Sequence, residues 1–224
     1  MPPFDLLLAS NSPRRKQLLA LTGRAFTSQP ASIDETPRPN EAPGDYVLRL
    51  ARGKAEAAAR STETPFPGLV LGSDTTVALG SRILGKPESP DEARAMLLLL
   101  RGQEHFVFTA LTLHNPADGA TRSELCATRV RMRAYTNEEI EAYIASGDPL
   151  DKAGAYAIQH PEFHPVEGFS GCFASVMGLP LCHLERALRA LGDPSSGDVP
   201  AACQAELKYD CPVFPAILSG ADAG

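Results

Sequence analysis

The hydrophobic and polar positions along the chain predict short buried strands that alternate with amphipathic helices. Continuous apolar runs at Phe4–Ala9 and Leu69–Leu71 are typical of strands buried on both faces. The second run leads to the carboxylate of Asp74, and Thr75–Leu79 continues it as an extended segment. Helices are predicted where apolar residues recur at helical spacing between capping residues, prolines and glycines: Pro13 to Gly23, Asp45–Arg60, Pro90–Arg101, Thr136 to Gly147 and Pro180–Leu191.

The stretches between these elements predict loops and one hairpin. Residues 27–43 are rich in Ser, Thr and Pro and indicate an extended loop. Gly80–Ser81 predicts a turn. Phe106–Leu113 and Leu125–Ala134 flank a second turn at 115–119 and predict an antiparallel hairpin. This order of elements predicts an α/β fold with a mixed twisted sheet flanked by helices.

The composition of the chain changes after residue 192. The stretch Asp193–Pro200 is typical of a linker. The segment beyond it contains Cys203 and Cys211 and has no clear hydrophobic period. We therefore expect one domain over residues 1–192, and a linker with a C-terminal tail over residues 193–224.

Composition and charge exclude several function classes. Apolar residues make up 43% of the 224 residues and charged residues 21%, as in ordinary globular proteins. The net charge of −6 argues against a nucleic-acid partner, because such proteins usually carry a basic face. The longest apolar run, Met96–Leu100, is too short to cross a bilayer, and Leu6–Ala9 lacks the basic flank of a signal peptide. Five cysteines without a secretory signal indicate reduced thiols, and predict a cytoplasmic protein without membrane contacts.

The segment Ser10–Arg15 has the strongest chemical signal. It joins a predicted strand to a helix N-terminus, where free backbone N–H groups and the helix dipole favour anions. Ser12 suits the N-cap and Pro13 the first helical position, while Arg14 and Arg15 add forked donors that match phosphate oxygens. The same spacing is also compatible with a well-capped surface helix whose arginines are solvated.

Carboxylates and lysines elsewhere could complete such a site. Asp74 follows a buried strand, where open α/β sheets bind ligands, so it could hold Mg²⁺ or accept a proton from water. A capping role is the alternative for this residue. Glu35, in the predicted loop, is a weaker second carboxylate. Lys54, Lys86 and Lys152 are further cations, and each could equally be a solvated surface residue.

Two other patterns do not indicate a site. Gly80–Lys86 matches a P-loop up to the lysine, but Pro87 supplies neither the hydroxyl nor the backbone N–H that the motif needs. His160 and His164 have the spacing of metal ligands, yet the prolines beside them break any helix that would align them. Together with the downstream cysteines they match no common zinc pattern.

Several ordered motifs together resemble the Maf-like nucleotide pyrophosphatases, over Leu6–Leu191. The stretches that carry the resemblance are Leu8–Arg15 with Leu18–Leu19, Leu48–Ala55, Gly72–Val77, Leu84–Pro87, Asp151–Gln159, Gly168–Gly171 and Val176–Leu181. The resemblance implies a two-lobed fold similar to inosine-triphosphate pyrophosphatases, with a nucleoside triphosphate in a central cleft. It also implies hydrolysis between the α and β phosphates, a divalent cation such as Mg²⁺ or Mn²⁺, and a homodimer.

The resemblance also implies roles for individual residues. Asp74 matches the catalytic proton acceptor of the family, and Glu35 and Asp74 are the implied metal ligands. Arg14, Thr75 and Gln159 match residues tied to substrate choice. With Arg15 from the helix N-terminus, the predicted substrate-binding set is Ser10, Arg14, Arg15, Lys54, Thr75, Lys86 and Gln159.

The predicted reaction is hydrolysis of dTTP and UTP, and two alternatives stay open. The stretch ending in Gln159 resembles the dTTP and UTP branch, since an amide can pair with the O4 and N3–H edge of thymine or uracil. However, His160–Pro165 stands where the family usually has a short glycine-rich turn. The alternatives are hydrolysis of 7-methyl-GTP or another modified nucleotide, and a nucleotide-binding regulator of septum formation.

Overall fold

The computed structural model describes residues 6–61 and 66–221, so Phe4 and Asp5 of the first predicted strand lie outside it. The strands are β1 (Leu6–Leu8), β2 (Phe26–Ser28), β3 (Leu69–Leu79), β4 (Arg82–Leu84), β5 (Glu104–His114), β6 (Thr121–Met132) and β7 (Val166–Ser170). The helices are α1 (Pro13–Ala20), α2 (Pro43–Arg60), α3 (Pro90–Leu100), α4 (Asn137–Ala145), α5 (Phe173–Met177), α6 (Leu181–Ala190), α7 (Val199–Leu207) and α8 (Phe214–Leu218). Two short 3₁₀ turns follow α4, at Asp148–Asp151 and Ala153–Ala155.

The seven strands of the described residues form one mixed sheet. Its order is β2-β1-β3-β5-β6-β7, and β4 pairs with β3 beside this path. β1 is parallel to β2 and β3, whereas the pairs β3–β4, β3–β5, β5–β6 and β6–β7 are antiparallel. The predicted α/β class, with a mixed sheet flanked by helices, is confirmed.

The long central strands pass through two apolar cores that are separated by buried polar residues. Near one end, Leu71 of β3 and Leu113 of β5 belong to a core that includes α1 and α6. Near the other end, Val77 and Val107 of the same strands belong to a core that includes α3 and α4. Between these positions lie five buried polar side chains, Ser73, Asp74, Thr76, Thr109 and Thr112, together with the apolar Ala110 and Leu111 of β5. The fold therefore places polar groups where its two halves meet.

Capping residues explain where two of the helices begin. Thr136 and Glu139 form the complete capping box that the sequence predicts, each side chain binding the backbone N–H of the other residue. The arrangement before α3 differs in one bond. Ser89 accepts a hydrogen bond from the N–H of Glu92, but the Glu92 carboxylate accepts from the N–H of Glu88 instead of Ser89. The helix start is as predicted, although the box is not reciprocal.

Several boundaries of the sheet were predicted wrongly. The first two residues of the predicted loop 27–43 belong to β2, because pairing with β1 stabilises a strand that has no apolar signature. β7 was not predicted, and it pairs with β6. The second hairpin strand begins earlier than predicted and ends at Met132 rather than Ala134. It ends there because a register shift interrupts the ladder and the N–H of Arg133 turns to the carbonyl of Pro165.

The C-terminal tail contains two helices that the sequence pattern did not predict, so α6 is not the last helix. Asp198 caps α7 by accepting a hydrogen bond from the N–H of Ala201. Val199 is fully buried in the core that includes α1 and α6. The preceding linker is held by an ion pair between Arg24 and Asp193. The boundary at residue 192 stays a prediction. In the part of the chain that the structure describes, no helix is both long and apolar enough to span a membrane.

Candidate active site

A cleft of about 400 Å³ opens beside the polar middle of β3. The end of β1, the N-terminus of α1 and the loop after α4 form its walls. The predicted residues that line it are Ser10, Arg14, Arg15, Glu35, Lys54, Thr75, Lys86 and Gln159. Asp74 lies beside the cleft, where its buried carboxylate accepts a hydrogen bond from Lys54. The structure therefore brings the whole predicted set to one place.

Arg15 is a firmly anchored cation of the cleft. Ser12 caps α1 by accepting a hydrogen bond from the Arg15 N–H at 3.4 Å. The Arg15 guanidinium donates to the carbonyl of Gly178 at 2.9 Å, and to the hydroxyls of Ser10 and Thr75 at 3.3 Å each. Burial lowers the pKa of Arg15, while the nearby Asp74 carboxylate opposes that change. These contacts fix a planar cation across the gap between α1 and β3.

Lys54 links the two predicted carboxylates. Its Nζ lies 2.6 Å from Asp74 Oδ1 and 2.8 Å from Glu35 Oε1. Lys54 and Asp74 are both buried, whereas the Glu35 side chain is 53% exposed. An ammonium has three N–H donors, so the hydrogen bond to Asp74 and the ion pair with Glu35 leave at least one donor for a ligand in the cleft. The capping role considered for Asp74 does not match these contacts.

The environment of Asp74 raises the pKa of its carboxyl group. Burial is the largest cause, and the charge of Glu35 acts in the same direction. The charges of Lys54 and Arg15 and the Lys54 hydrogen bond act against it. A carboxylate whose pKa is raised toward neutrality is a stronger proton acceptor than an ordinary aspartate. Raised pKa values of this kind are typical of functional sites.

A second ionic cluster lies on the opposite wall. The buried ammonium of Lys152 donates to the carbonyl and carboxylate of Asp148 at 2.7 and 2.8 Å, and to Asp151 at 2.6 Å. Asp151 Oδ2 in turn lies 3.5 Å from Arg14 Nη1. Burial acts to raise the pKa of Asp151, but Lys152 and Arg14 outweigh it, so this pKa is lowered. Asp151 is therefore an ionised link between the two walls.

Lys86 and Gln159 are exposed cleft residues, as is Glu35. Within residues 6–61 and 66–221, neither Lys86 nor Gln159 has a side-chain hydrogen bond or ion pair. The loop after Gln159 is braced by other groups. His160 Nδ1 accepts hydrogen bonds from the backbone N–H groups of Glu162 and Phe163. The Arg133 guanidinium donates to the carbonyls of Phe163 and His164. The amide of Gln159 is thus available to a ligand.

Sequence reasoning did not assign Asp151 or the carbonyl of Gly178 to the site. Asp151 stands beside Lys152 in one of the stretches that carry the resemblance, and its contact with Arg14 spans 137 positions of the chain (151 − 14). Gly178 holds Arg15 through a backbone oxygen, which no residue type can indicate. The ion pair between Asp74 and Lys54 was not predicted either.

Comparison with known proteins identifies the family. Residues 5–191 match the family described as Maf-like protein. A curated relative from Thermomicrobium roseum, named dTTP/UTP pyrophosphatase, is 44% identical over 226 aligned positions, covering 98% of this chain and 99% of that protein. Relatives of the same name from Anaeromyxobacter dehalogenans and Dehalococcoides mccartyi are 45% and 42% identical, each over 84% of this chain and over 95% and 83% of their own lengths.

Among solved structures, the chain is similar to the Ham1 protein of Staphylococcus aureus. The TM-score is 0.41 and the identity 15%, over 58% of this chain and 72% of that one. The family assignment rests on the sequence matches, which cover most of the described residues and all of the cleft. This chain belongs to the Maf-like protein family.

Proposed function

We propose that this protein hydrolyses dTTP and UTP to the nucleoside monophosphate and pyrophosphate. The observation that carries the proposal is the buried Asp74 carboxylate, held 2.6 Å from Lys54 beside a cleft lined with cations. Three curated relatives, each aligned with this chain over 83% or more of its own length, are named for the same substrates. A phosphate-binding surface alone would not need a buried carboxylate with a raised pKa.

The cations of the cleft suit a triphosphate. Arg15 and the free donor of Lys54 flank the N-terminus of α1, which itself favours anions. Lys86 adds an exposed ammonium from the β4–α3 connection. Because phosphoryl transfer depends mainly on positioning and on neutralising phosphate charge, this convergence is what the reaction requires.

Asp74 is the proposed proton acceptor. In the proposed step, a water oxygen forms a bond to the α phosphorus while a water proton passes to the Asp74 carboxylate. The bond between the α phosphorus and the bridging oxygen breaks, and pyrophosphate leaves with that oxygen. Lys54 holds Asp74 in place and keeps a donor near the developing charge.

Glu35 and Asp74 fit a divalent cation. Their carboxylates already converge on one cation, the Lys54 ammonium, with one oxygen from each within 2.8 Å. In the described ranges no group of three His, Cys, Asp or Glu side chains could hold a metal. One or two carboxylates completed by substrate phosphates is the usual arrangement for Mg²⁺. Bound there, Mg²⁺ or Mn²⁺ would neutralise phosphate charge.

Gln159 is the proposed reader of the base. Its side chain lines the cleft, is exposed, and lies on the wall opposite α1. An amide offers both a donor and an acceptor, which matches the O4 and N3–H edge of thymine or uracil. Arg14 and Thr75 complete the set proposed for substrate choice.

A nucleotide panel tests the proposal. The purified protein is incubated with Mg²⁺ or Mn²⁺ and with dTTP, UTP, CTP, GTP or 7-methyl-GTP, and pyrophosphate and orthophosphate are measured separately. We expect pyrophosphate from dTTP and UTP in preference to the others. Preference for 7-methyl-GTP would change the substrate, and nucleotide binding without turnover would favour a regulatory protein. Release of orthophosphate would refute the proposed bond.

We also propose a cytoplasmic homodimer. All five cysteines carry free thiols, which suits a reducing compartment. Phe106 and Leu125 are 41% and 37% exposed on neighbouring strands β5 and β6. The dimer is implied by the resemblance to the Maf-like family, and these two exposed side chains are its proposed contact residues. Light scattering after size exclusion tests the dimer, and a monomeric mass at micromolar concentration would contradict it.

A further inference from the structure

The cleft is bridged at one point by side chains from its two walls. Arg14 belongs to α1, and α1 packs in the apolar core that also includes α6. Asp151 belongs to the turn that follows α4, and α4 packs in the other apolar core, which also includes α3. Their Nη1 and Oδ2 atoms are 3.5 Å apart, and both residues line the cleft. An ion pair in this position connects the phosphate-binding wall with the wall that carries Gln159.

Lys152 lines the same cleft but cannot bind phosphate in this arrangement. Its ammonium has three donors, and the carbonyl of Asp148, the carboxylate of Asp148 and the carboxylate of Asp151 use all of them. Lys54 differs, because two carboxylates leave it one donor. Lys152 is therefore a buried support for Asp151 rather than a substrate ligand.

The direction of support runs from the interior to the cleft. Lys152 is buried with 7% of its surface exposed, whereas the side chains of Asp151 and Arg14 are 62% and 25% exposed. An isolated pair at such exposure contributes little on its own. Here Asp151 is held by the buried ammonium of Lys152, so the Asp151 carboxylate stays ionised and oriented toward Arg14.

We infer that Asp151, held by Lys152, is a positioning residue that aims Arg14 at the nucleotide. This inference rests on the proposed function for the identity of the nucleotide. Asp151 acts through Arg14 and does not touch the reacting atoms. Because Arg14 contacts the substrate in both the ground state and the transition state, loss of its orientation raises KM more than it lowers kcat.

Simple electrostatics makes the opposite prediction, which sharpens the test. Removing a carboxylate beside an anionic substrate should strengthen binding if charge alone matters. Asp148→Asn is the matched control. It also removes one carboxylate charge that faces Lys152, but Asp148 has no ion pair with Arg14 among the described residues. We expect Asp151→Asn to raise KM for dTTP about three- to tenfold with kcat within about twofold, while Asp148→Asn leaves KM within about twofold. Asp151→Glu should restore most of the loss.

A double-mutant cycle separates positioning from a structural role. In an Arg14→Ala background Asp151→Asn should cause no further rise in KM, because the residue through which it acts is absent. An equal rise in both backgrounds, or none in the wild type, would overturn the inference. Calorimetric binding of a non-hydrolysable α,β-methylene analogue of dTTP gives a readout without turnover. If the wild-type protein binds the analogue but does not hydrolyse dTTP, only the proposed function is refuted. The inference on Asp151 can then still be tested by measuring Kd for the same set of variants.

Discussion

Replacing Gly72 with alanine should disrupt the contact on which the site is built. Gly72 lies in β3 where α2 crosses it, two positions before Asp74. A Cβ at this position would lie 2.0 Å from the carbonyl oxygen of Ala51 and 2.7 Å from the backbone nitrogen of Ala55. Both neighbours are helix backbone, so no side chain can rotate away. The helix itself would have to move.

The size of the effect follows from these distances. Ordinary van der Waals contact begins near 3.4 Å, so α2 must retreat by roughly 1.4 Å from 2.0 Å (3.4 − 2.0). Lys54 is on the same face of α2 and would move with it, breaking the 2.6 Å contact with Asp74. Overpacking of this kind costs about 1–3 kcal/mol of the free energy of unfolding. A displacement of about 1 Å in a catalytic constellation costs about a hundredfold in rate.

Urea unfolding and kcat measurements on Gly72→Ala test this reasoning. Gly168→Ala is the control, because this glycine is also in a strand of the sheet and a Cβ there would meet nothing within 4 Å. We expect the control to stay within about 0.5 kcal/mol of the wild type. If Gly72→Ala keeps both the stability and the turnover of the wild type, the close approach of α2 does not position Lys54.

Three further predictions test individual side chains. Asp74→Asn should lower kcat about a hundred- to ten-thousandfold with an unchanged circular dichroism spectrum, and retention of more than about a tenth of the rate would exclude the proton-acceptor role. Gln159→Ala should lower kcat/KM for dTTP and UTP about ten- to a hundredfold while changing GTP and CTP little, whereas a uniform loss would remove Gln159 from base recognition. Burial lowers the pKa of His105 from 6.5 to about 4. Between these two pH values the unfolded chain binds a proton at His105 that the folded chain does not bind. The free energy of unfolding should therefore fall by about 3 kcal/mol as the pH drops from 6.5 to 4. His105→Gln should remove that part of the slope in urea unfolding from pH 7 to 4, and the same change at exposed His164 should not.

Local signals in the sequence were sufficient for the elements that position the phosphate site. Ser12 and Pro13 fix the start of α1, and a continuous apolar run fixes the strand that leads to Asp74. These features depend on neighbours within a few positions, so a pattern can show them. The resemblance added the roles of Lys86 and Gln159, whose surroundings in the sequence have no distinctive chemistry.

Features that depend on distant parts of the chain were not predictable from the pattern. β2 exists because β1 offers it hydrogen bonds, and the tail helix α7 forms because Val199 finds an apolar core. Asp151 joins the site through a contact with Arg14 from the other half of the fold. Each of these is decided by tertiary contacts, which override weak local preference.

The arrangement of carboxylates explains how an acidic protein can present a cationic cleft. The chain has a net charge of −6, yet the buried Asp74 carboxylate is paired with Lys54 beside the cavity. Lys54 keeps one free donor there. Lys152 has none left, because Asp148 and Asp151 use all three, and Asp151 in turn faces Arg14. The number of protein oxygens that each buried ammonium already contacts thus decides its role. Lys54 can bind phosphate, whereas Lys152 can only position another residue.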